Sequence, residues 1–239
     1  MNPSEDTDIV IIGAGVIGLS IANRLLQANR TVLMVDPAEP GSGASYGNAG
    51  TIADYAVLPV ASPSIFKKIP ALLFNQDSPL SIRRSAIISL APWLLRFLQQ
   101  ALPAPTQRNM QALVSILANA APRWKDLAEQ ISGQSLLQAN GCLYLYDDPA
   151  DFEMGRQDIS HRQSLGVEAE MLAPEELAQL EPGLPTVQGG AAYFPDAVYL
   201  TDPGQFLNLL LTQLIKQGLQ LQQKAVAKLS RHKSRIEAT

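Results

Sequence analysis

The chain has 239 residues, 46% of them apolar and 17% charged, which allows a sizeable core and excludes a disordered or low-complexity protein. Eighteen bases against 22 acids leave a net charge of −4, so no global basic field points to nucleic acid. A lone cysteine, Cys142, excludes an internal disulfide and fits a reducing, cytoplasmic setting, and two distant histidines, His161 and His232, offer no metal cluster.

The apolar run 9–22 holds three glycines and is too short to cross a bilayer. Its flank carries Glu5, Asp6 and Asp8 and no base, unlike a secretory signal. Residues 8–13 therefore predict a strand, and their consecutive β-branched side chains predict burial on both faces. Gly13-Ala14-Gly15-Val16-Ile17-Gly18 follows at once. Residues 16–28 predict a helix, with Ile17, Ile21, Leu25 and Ala28 at helical spacing. A second strand, 31–35, ends at Asp36.

This order has a physical reading. Gly13 permits a tight turn, Gly15 lets a diphosphate approach the backbone, and Gly18 lets the helix pack close to the strands. The helix start offers N–H groups and a positive dipole end to phosphate oxygens. Asp36 is placed to accept hydrogen bonds from adenosine ribose hydroxyls. A plain NAD domain would continue with another helix and strand. Here residues 37–51 are small and turn-forming, and a long proline-punctuated helical stretch follows before the next strand, near 141–147. That insertion favours a flavoprotein.

Residues 55–108 carry six bases and one acid, Asp77, among apolar clusters. Two readings compete: a helical cap, or a segment lying on an anionic membrane. Pro79, Pro92 and Pro103 should break any long amphipathic helix there, which favours the cap. Residues 106–131 predict a helix kinked or split at Pro122, and Trp93 and Trp124 read as core anchors. Asp148-Pro149, Ala173-Pro174 and Asp202-Pro203 mark helix starts, with Asp202 and Gln205 spaced as a capping pair. Cys142 lies in a strand pattern without a basic neighbour and reads as an inert, buried thiol. Strands 189–194 and 198–200 are expected in one substrate-side sheet, with Tyr193 and Tyr199 as packing residues. A helix over 203–217 should bury Phe206, Leu210, Leu214 and Ile215. A strand over 219–229 follows Gly218.

The glycine fingerprint, Asp36 and Ser45-Tyr46-Gly47-Asn48-Ala49-Gly50 resemble the D-amino acid dehydrogenase branch of the FAD-dependent amino acid and amine oxidoreductases. So do Gly141-Cys142-Leu143-Tyr144-Leu145, Leu180-Glu181-Pro182, the stretch 189–196 and Thr201-Asp202-Pro203. The resemblance implies an α/β fold: a Rossmann-like FAD-binding domain of the glutathione-reductase type, a helical insertion and part of an antiparallel substrate-domain sheet. It implies four stretches: 1–54 and 203–239 for the FAD domain, 55–135 for the cap and 136–202 for the substrate side. It also implies FAD contacts from Ile12, Gly13, Ala14, Gly15, Val16, Ile17, Gly18, Asp36, Ser45, Asn48, Ala49, Gly50 and, on the returning strand, Val226.

The activity implied is oxidation of a D-amino acid to a 2-oxo acid and ammonia, with a quinone or respiratory-chain acceptor and peripheral contact with the inner face of the membrane. The alternatives are a related glycine, sarcosine, hydroxyproline or other amine oxidoreductase using oxygen, and an inactive fragment. Family members run well past residue 239. The later parts hold the strand beside residues 8–13 and the contacts to the flavin ring and substrate carboxylate. No arginine here matches a carboxylate clamp, so catalytic residues are unassigned. The 239 residues alone are expected to be poorly soluble or oligomeric, weakly flavinated and inactive.

Overall fold

A computed structural model describes residues 7–63, 65–66, 84–232 and 235–238. Lys67, Lys68, Asp77, Pro79 and Arg83 of the basic block lie outside the described residues. The chain divides into two units: Met1–Ile52 with Pro122–Ala139 and Val198–Thr239, and Ala53–Ala121 with Asn140–Ala197.

The first unit is built on a parallel sheet. Strand β1 (Ile9–Ile12) pairs with β2 (Val32–Asp36), and β2 pairs with β9 (Gln220–Gln223), with Ile9 opposite Val32 and Leu33 opposite Gln220. The central strand carries the core: Val32, Met34 and Val35 are buried. Two-sided burial of β1 is not what the fold gives. Val10 and Ile12, which share one face of the strand, are 43% and 51% exposed, so that face of β1 is uncovered by the described residues, while Ile11 on the other face is buried.

Helix α1 (Val16–Gln27) forms where the sequence places a helix. Its inward side is Gly18, Leu19, Ala22 and Asn23, whereas Ile17 and Ile21 are 74% and 47% exposed. The small residues face inward because they let the helix lie close to its neighbours. Asn23, buried and polar, is satisfied by donating to Gln130 Oε1 at 3.1 Å, and Gln27 donates to the same oxygen at 2.8 Å. Helix α7 (Pro203–Lys216) buries Phe206, Leu207, Leu210 and Leu214. Ile215, expected among them, is half exposed. The start of α7 is as the sequence reads: Asp202 accepts from the Gln205 N–H at 2.8 Å and Pro203 fills the first position. The returning strand is shorter than expected. It ends at Gln223, so Val226 lies in the irregular segment before β10 (Leu229–His232), which forms a hairpin with β11 (Arg235–Ala238). A second small sheet has β8 (Val198–Leu200) between β3 (Thr51–Ile52) and β4 (Leu137–Gln138).

The second unit holds an antiparallel sheet in which β7 (Gly190–Phe194) lies between β5 (Cys142–Tyr146) and β6 (Glu170–Leu172). Strands 190–194 and 198–200 thus belong to separate sheets, not one. Buried Tyr55, Ile159, Ala192 and Phe194 form one core cluster with half-buried Cys142 packed on it; Leu177, Val187 and Ala191 form another. Ile159 comes from α5 (Pro149–Ser164) and Leu177 from α6 (Pro174–Leu180). Arg162 on α5 donates to the Tyr55 carbonyl and lies over the rings of Tyr144 and Phe194.

Of the prolines, Pro92 acts differently from expectation, whereas Pro103 and Pro122 mark helix starts. Pro92 sits inside an unbroken α2 (Ile87–Gln100), since Ile88 and Pro92 both face outward and water can serve the carbonyl that lacks its donor. Pro103 opens α3 (Pro103–Leu117). The break before α4 (Ala120–Gln130) precedes Pro122, which falls in the first turn, where no N–H is needed. Trp93 is 59% exposed and no core anchor; Trp124 is half-buried, with its ring 5.3 Å from Phe206.

Tyr55 gives a pH prediction. Burial, then the adjoining Cys142 thiol and Tyr144 hydroxyl, push its phenol well above the ordinary value of 10.0. The unfolded chain loses this proton first as pH rises. The stabilising contribution is therefore complete below about pH 10 and is lost above it. Circular dichroism through an alkaline titration should show unfolding that Tyr55→Phe delays; an identical alkaline limb in both proteins would contradict this.

Candidate functional site

The glycine turn is held from three sides. The Gly13 N–H donates to the Val35 carbonyl at 2.9 Å, and Gly13 takes φ +106°, a conformation suited to glycine. The Ala14 N–H donates to Asp36 Oδ2 at 2.8 Å, while the Ala14 carbonyl accepts from the Gly41 N–H at 2.8 Å. Beneath the turn, a Cβ on Gly18 would overlap the Gly13 carbonyl oxygen, so α1 starts as close to the strand as backbone allows.

The loop after β2 folds back over this turn. Ser45 Oγ accepts from the Val16 N–H at 3.0 Å, the first helical position of α1. Asn48 works inside the loop: its amide donates to the Ser45 carbonyl at 3.1 Å, and its oxygen accepts from the Gly50 N–H at 2.8 Å. Gly50 has φ +67°, and its carbonyl accepts from the Leu200 N–H at 2.9 Å, joining loop to β8.

Two adjoining cavities result, both lined by Val16 and Ser45. One, of about 440 Å³, runs over the turn between Ile12, Gly13, Gly15, Ile17 and Gly18 and the loop residues Ser45 and Asn48. The other, of about 360 Å³, lies between Ser45, Asn48, Ala49 and Gly50 and the side chains of Trp124 and Leu207. The first cavity fits a diphosphate. Its floor is the N-terminal turn of α1, with no acid in that turn, and Gly13 and Gly15 bring no side chain into it. Ser45 adds a hydroxyl at the same place.

Most of the residues read from the sequence therefore converge. Ala14 and Asp36 stand behind the turn rather than in either cavity, and Val226 lines neither. Both Asp36 oxygens already accept backbone N–H groups, from Ala14 and, at 2.8 Å, from Ala38. Trp124 and Leu207 were missed as cavity residues. They reach the loop from distant helices, and only a tertiary contact could have announced them.

Residues 8–239 match the FAD dependent oxidoreductase family, and the chain belongs to that family, whose cofactor is FAD. It is 32% identical over 222 residues to a D-amino-acid oxidase of Bradyrhizobium diazoefficiens, covering 91% of this chain and 52% of that protein. It is 32% identical over 193 residues to D-amino acid dehydrogenase 2 of Ralstonia nicotianae, covering 79% and 45%. The chain thus spans about half the length of the curated relatives it matches. Among solved structures, glycine oxidase from Bacillus cereus shares the fold at TM-score 0.59 and 19% identity, over 95% of this chain and 49% of that one. L-amino acid deaminase from Proteus vulgaris does so at TM-score 0.65 and 15% identity, over 98% and 44%.

Proposed function

We propose that this chain binds FAD, with the diphosphate on the turn Gly13–Gly18, as part of an enzyme that oxidises D-amino acids to 2-oxo acids and ammonia. The observation that carries the cofactor reading is the Val16 N–H and Ser45 hydroxyl meeting at the glycine-floored end of α1. The substrate class rests on the two relatives at 32% identity, both named for D-amino acids.

When bound, FAD would supply the two-electron oxidation of the amine. This chain's residues would bind and orient. The first-turn N–H groups and the helix dipole would stabilise the phosphate charge, and the Ser45 hydroxyl would share the Val16 N–H with a phosphate oxygen or donate to one. Asp36 would hold the turn in shape from behind. Its negative charge would disfavour a 2′-phosphate on the ribose. Ala49, Gly50 and Trp124 would border the flavin side.

The test is to purify the protein with FAD, measure flavin content, and follow dye reduction by D-alanine, glycine and sarcosine. Flavin retention with reduction by D-alanine supports the reading, whereas reduction by glycine or sarcosine alone assigns the enzyme to amines instead. Hydrogen peroxide formation would select oxygen over a quinone as acceptor. A protein that retains no flavin under any condition would defeat the cofactor assignment. Two further outcomes are expected. Titration with NADPH should show no submicromolar binding, and Trp124→Ala should weaken FAD binding about tenfold through lost stacking area, as read by flavin fluorescence at equilibrium. Unchanged affinity would remove Trp124 from the site.

A further inference from the structure

The loop that carries Ser45 and Asn48 rests on helix α7 at two points. A Cβ added to Gly41 would stand 3.2 Å from Leu207 Cδ1, and one added to Gly204 would stand 3.0 Å from Tyr46 Cδ2 and 3.1 Å from its Cε2. At each point a glycine meets a large side chain, so loop and helix come together at backbone distance. Gly204 and Leu207 are three residues apart and share one side of α7. Pro203 and Leu207 also line the second cavity, so the seat of the loop and the wall of the site are one surface.

Tyr46 occupies the middle of this arrangement. It follows Ser45, whose hydroxyl accepts from the Val16 N–H, and precedes Asn48, which lines both cavities. The Tyr46 N–H donates to the Gly43 carbonyl at 3.0 Å and closes a turn there. The residue is 70% exposed and fills no core. One edge of its ring touches Gly204, and most of the rest stands in water. The bond between Ser45 and Val16 involves the same groups that a phosphate oxygen would engage, so it loosens as a cofactor binds. Asn48 bonds within the loop and does not tie it to α1 or α7. The ring of Tyr46 on Gly204 is therefore the contact left to keep Ser45 over the start of α1.

We propose that Tyr46 is a latch: its ring on Gly204 holds the loop over the diphosphate floor, and release of that contact governs how fast FAD enters and leaves. Tyr46 is a positioning residue, acting through the loop on Ser45. The inference rests on the FAD reading above.

The test uses the full chain loaded with FAD, with release followed by recovery of flavin fluorescence on dilution. Tyr46→Ala should speed release about tenfold through loss of the ring contact. Tyr46→Phe should release at the parent rate, because the contact is made by ring carbons and not by the hydroxyl. Gly204→Ala should push the ring aside and speed release about threefold, yet add nothing in a Tyr46→Ala background, as a double-mutant cycle requires of one shared contact. Urea unfolding of the flavin-free variants should match the parent, with Gly204→Ala no less stable, since alanine suits a helix better than glycine. Without flavin, hydrogen exchange at the Val16 N–H should quicken in Tyr46→Ala. Release at the parent rate from Tyr46→Ala, fast release from Tyr46→Phe, or a Gly204→Ala effect undiminished when the ring is already gone would overturn the latch. A parent that retains no flavin would defeat the cofactor reading and the latch together. A flavin-retaining parent whose variants release alike would defeat the latch alone.

Discussion

Gly18→Ala should leave the protein both unstable and without flavin. The new Cβ would overlap the Gly13 carbonyl oxygen and touch Ile11 Cγ2 at 3.4 Å. The carbonyl has little room to yield, because the Gly13 N–H is fixed to Val35 at the end of β2. The helix must therefore move off the strand, at about 3 kcal/mol. That motion also carries the Val16 N–H away from Ser45, opening the diphosphate floor. Urea unfolding and the flavin spectrum of the purified variant measure the two effects. Gly15→Val provides the contrast. A Cβ there meets only the Ser45 hydroxyl, at 3.2 Å, and the backbone is already extended, so stability should fall by less than about 1 kcal/mol while FAD is lost. Wild-type flavin content in either variant would show that the turn is not the cofactor site.

Gly50→Ala should be comparably damaging for a different reason. Gly50 has φ +67°, and a Cβ there would overlap the Leu200 carbonyl oxygen of β8. The same two residues share the hydrogen bond from the Leu200 N–H to the Gly50 carbonyl. Left-handed strain and the clash together amount to about 3 kcal/mol. The loop that carries Ser45, Asn48 and Ala49 would detach from its strand. Thermal unfolding should drop by several degrees, and the flavin that remains should exchange readily on dilution. An unchanged melting temperature would contradict the geometry.

The parts of the site legible in the sequence are those whose physics is local. Gly13, Gly15, Gly18 and the strand–turn–helix order require no distant partner to be recognised. Asp36 was found in position, but its bonds to Ala14 and Ala38 depend on how the turn packs back on β2. Side-chain direction was less legible. Ile17 and Ile21 follow helical spacing as well as Leu19 and Ala22 do, and only the neighbours decide which side faces in. Trp93 is a related case: a large aromatic residue suggests a core, yet its ring is 59% exposed and stacks on Phe97 of its own helix. Strands β7 and β8 lie three residues apart in sequence yet enter different sheets, because the chain passes from one unit to the other between them. Val226 was placed by order along the chain, and the strand that should have carried it ended early.

The pairing of β2 with β9 has a consequence for how the protein is made. Leu33 waits for Gln220, a partner synthesised almost a full chain length later. Until then, the nascent β1–α1–β2 unit holds Val32 and Met34 beside an unfilled sheet edge, with Val10 and Ile12 already bare. Interactions spanning such a separation form slowly, and their precursors present a template for wrong strand addition. The first unit draws on three separate stretches of chain, so no early ribosomal product contains it whole. Its folding is thereby tied to late synthesis. Pausing translation shortly before residue 220 should leave an intermediate that holdase chaperones retain, and releasing the pause should free it.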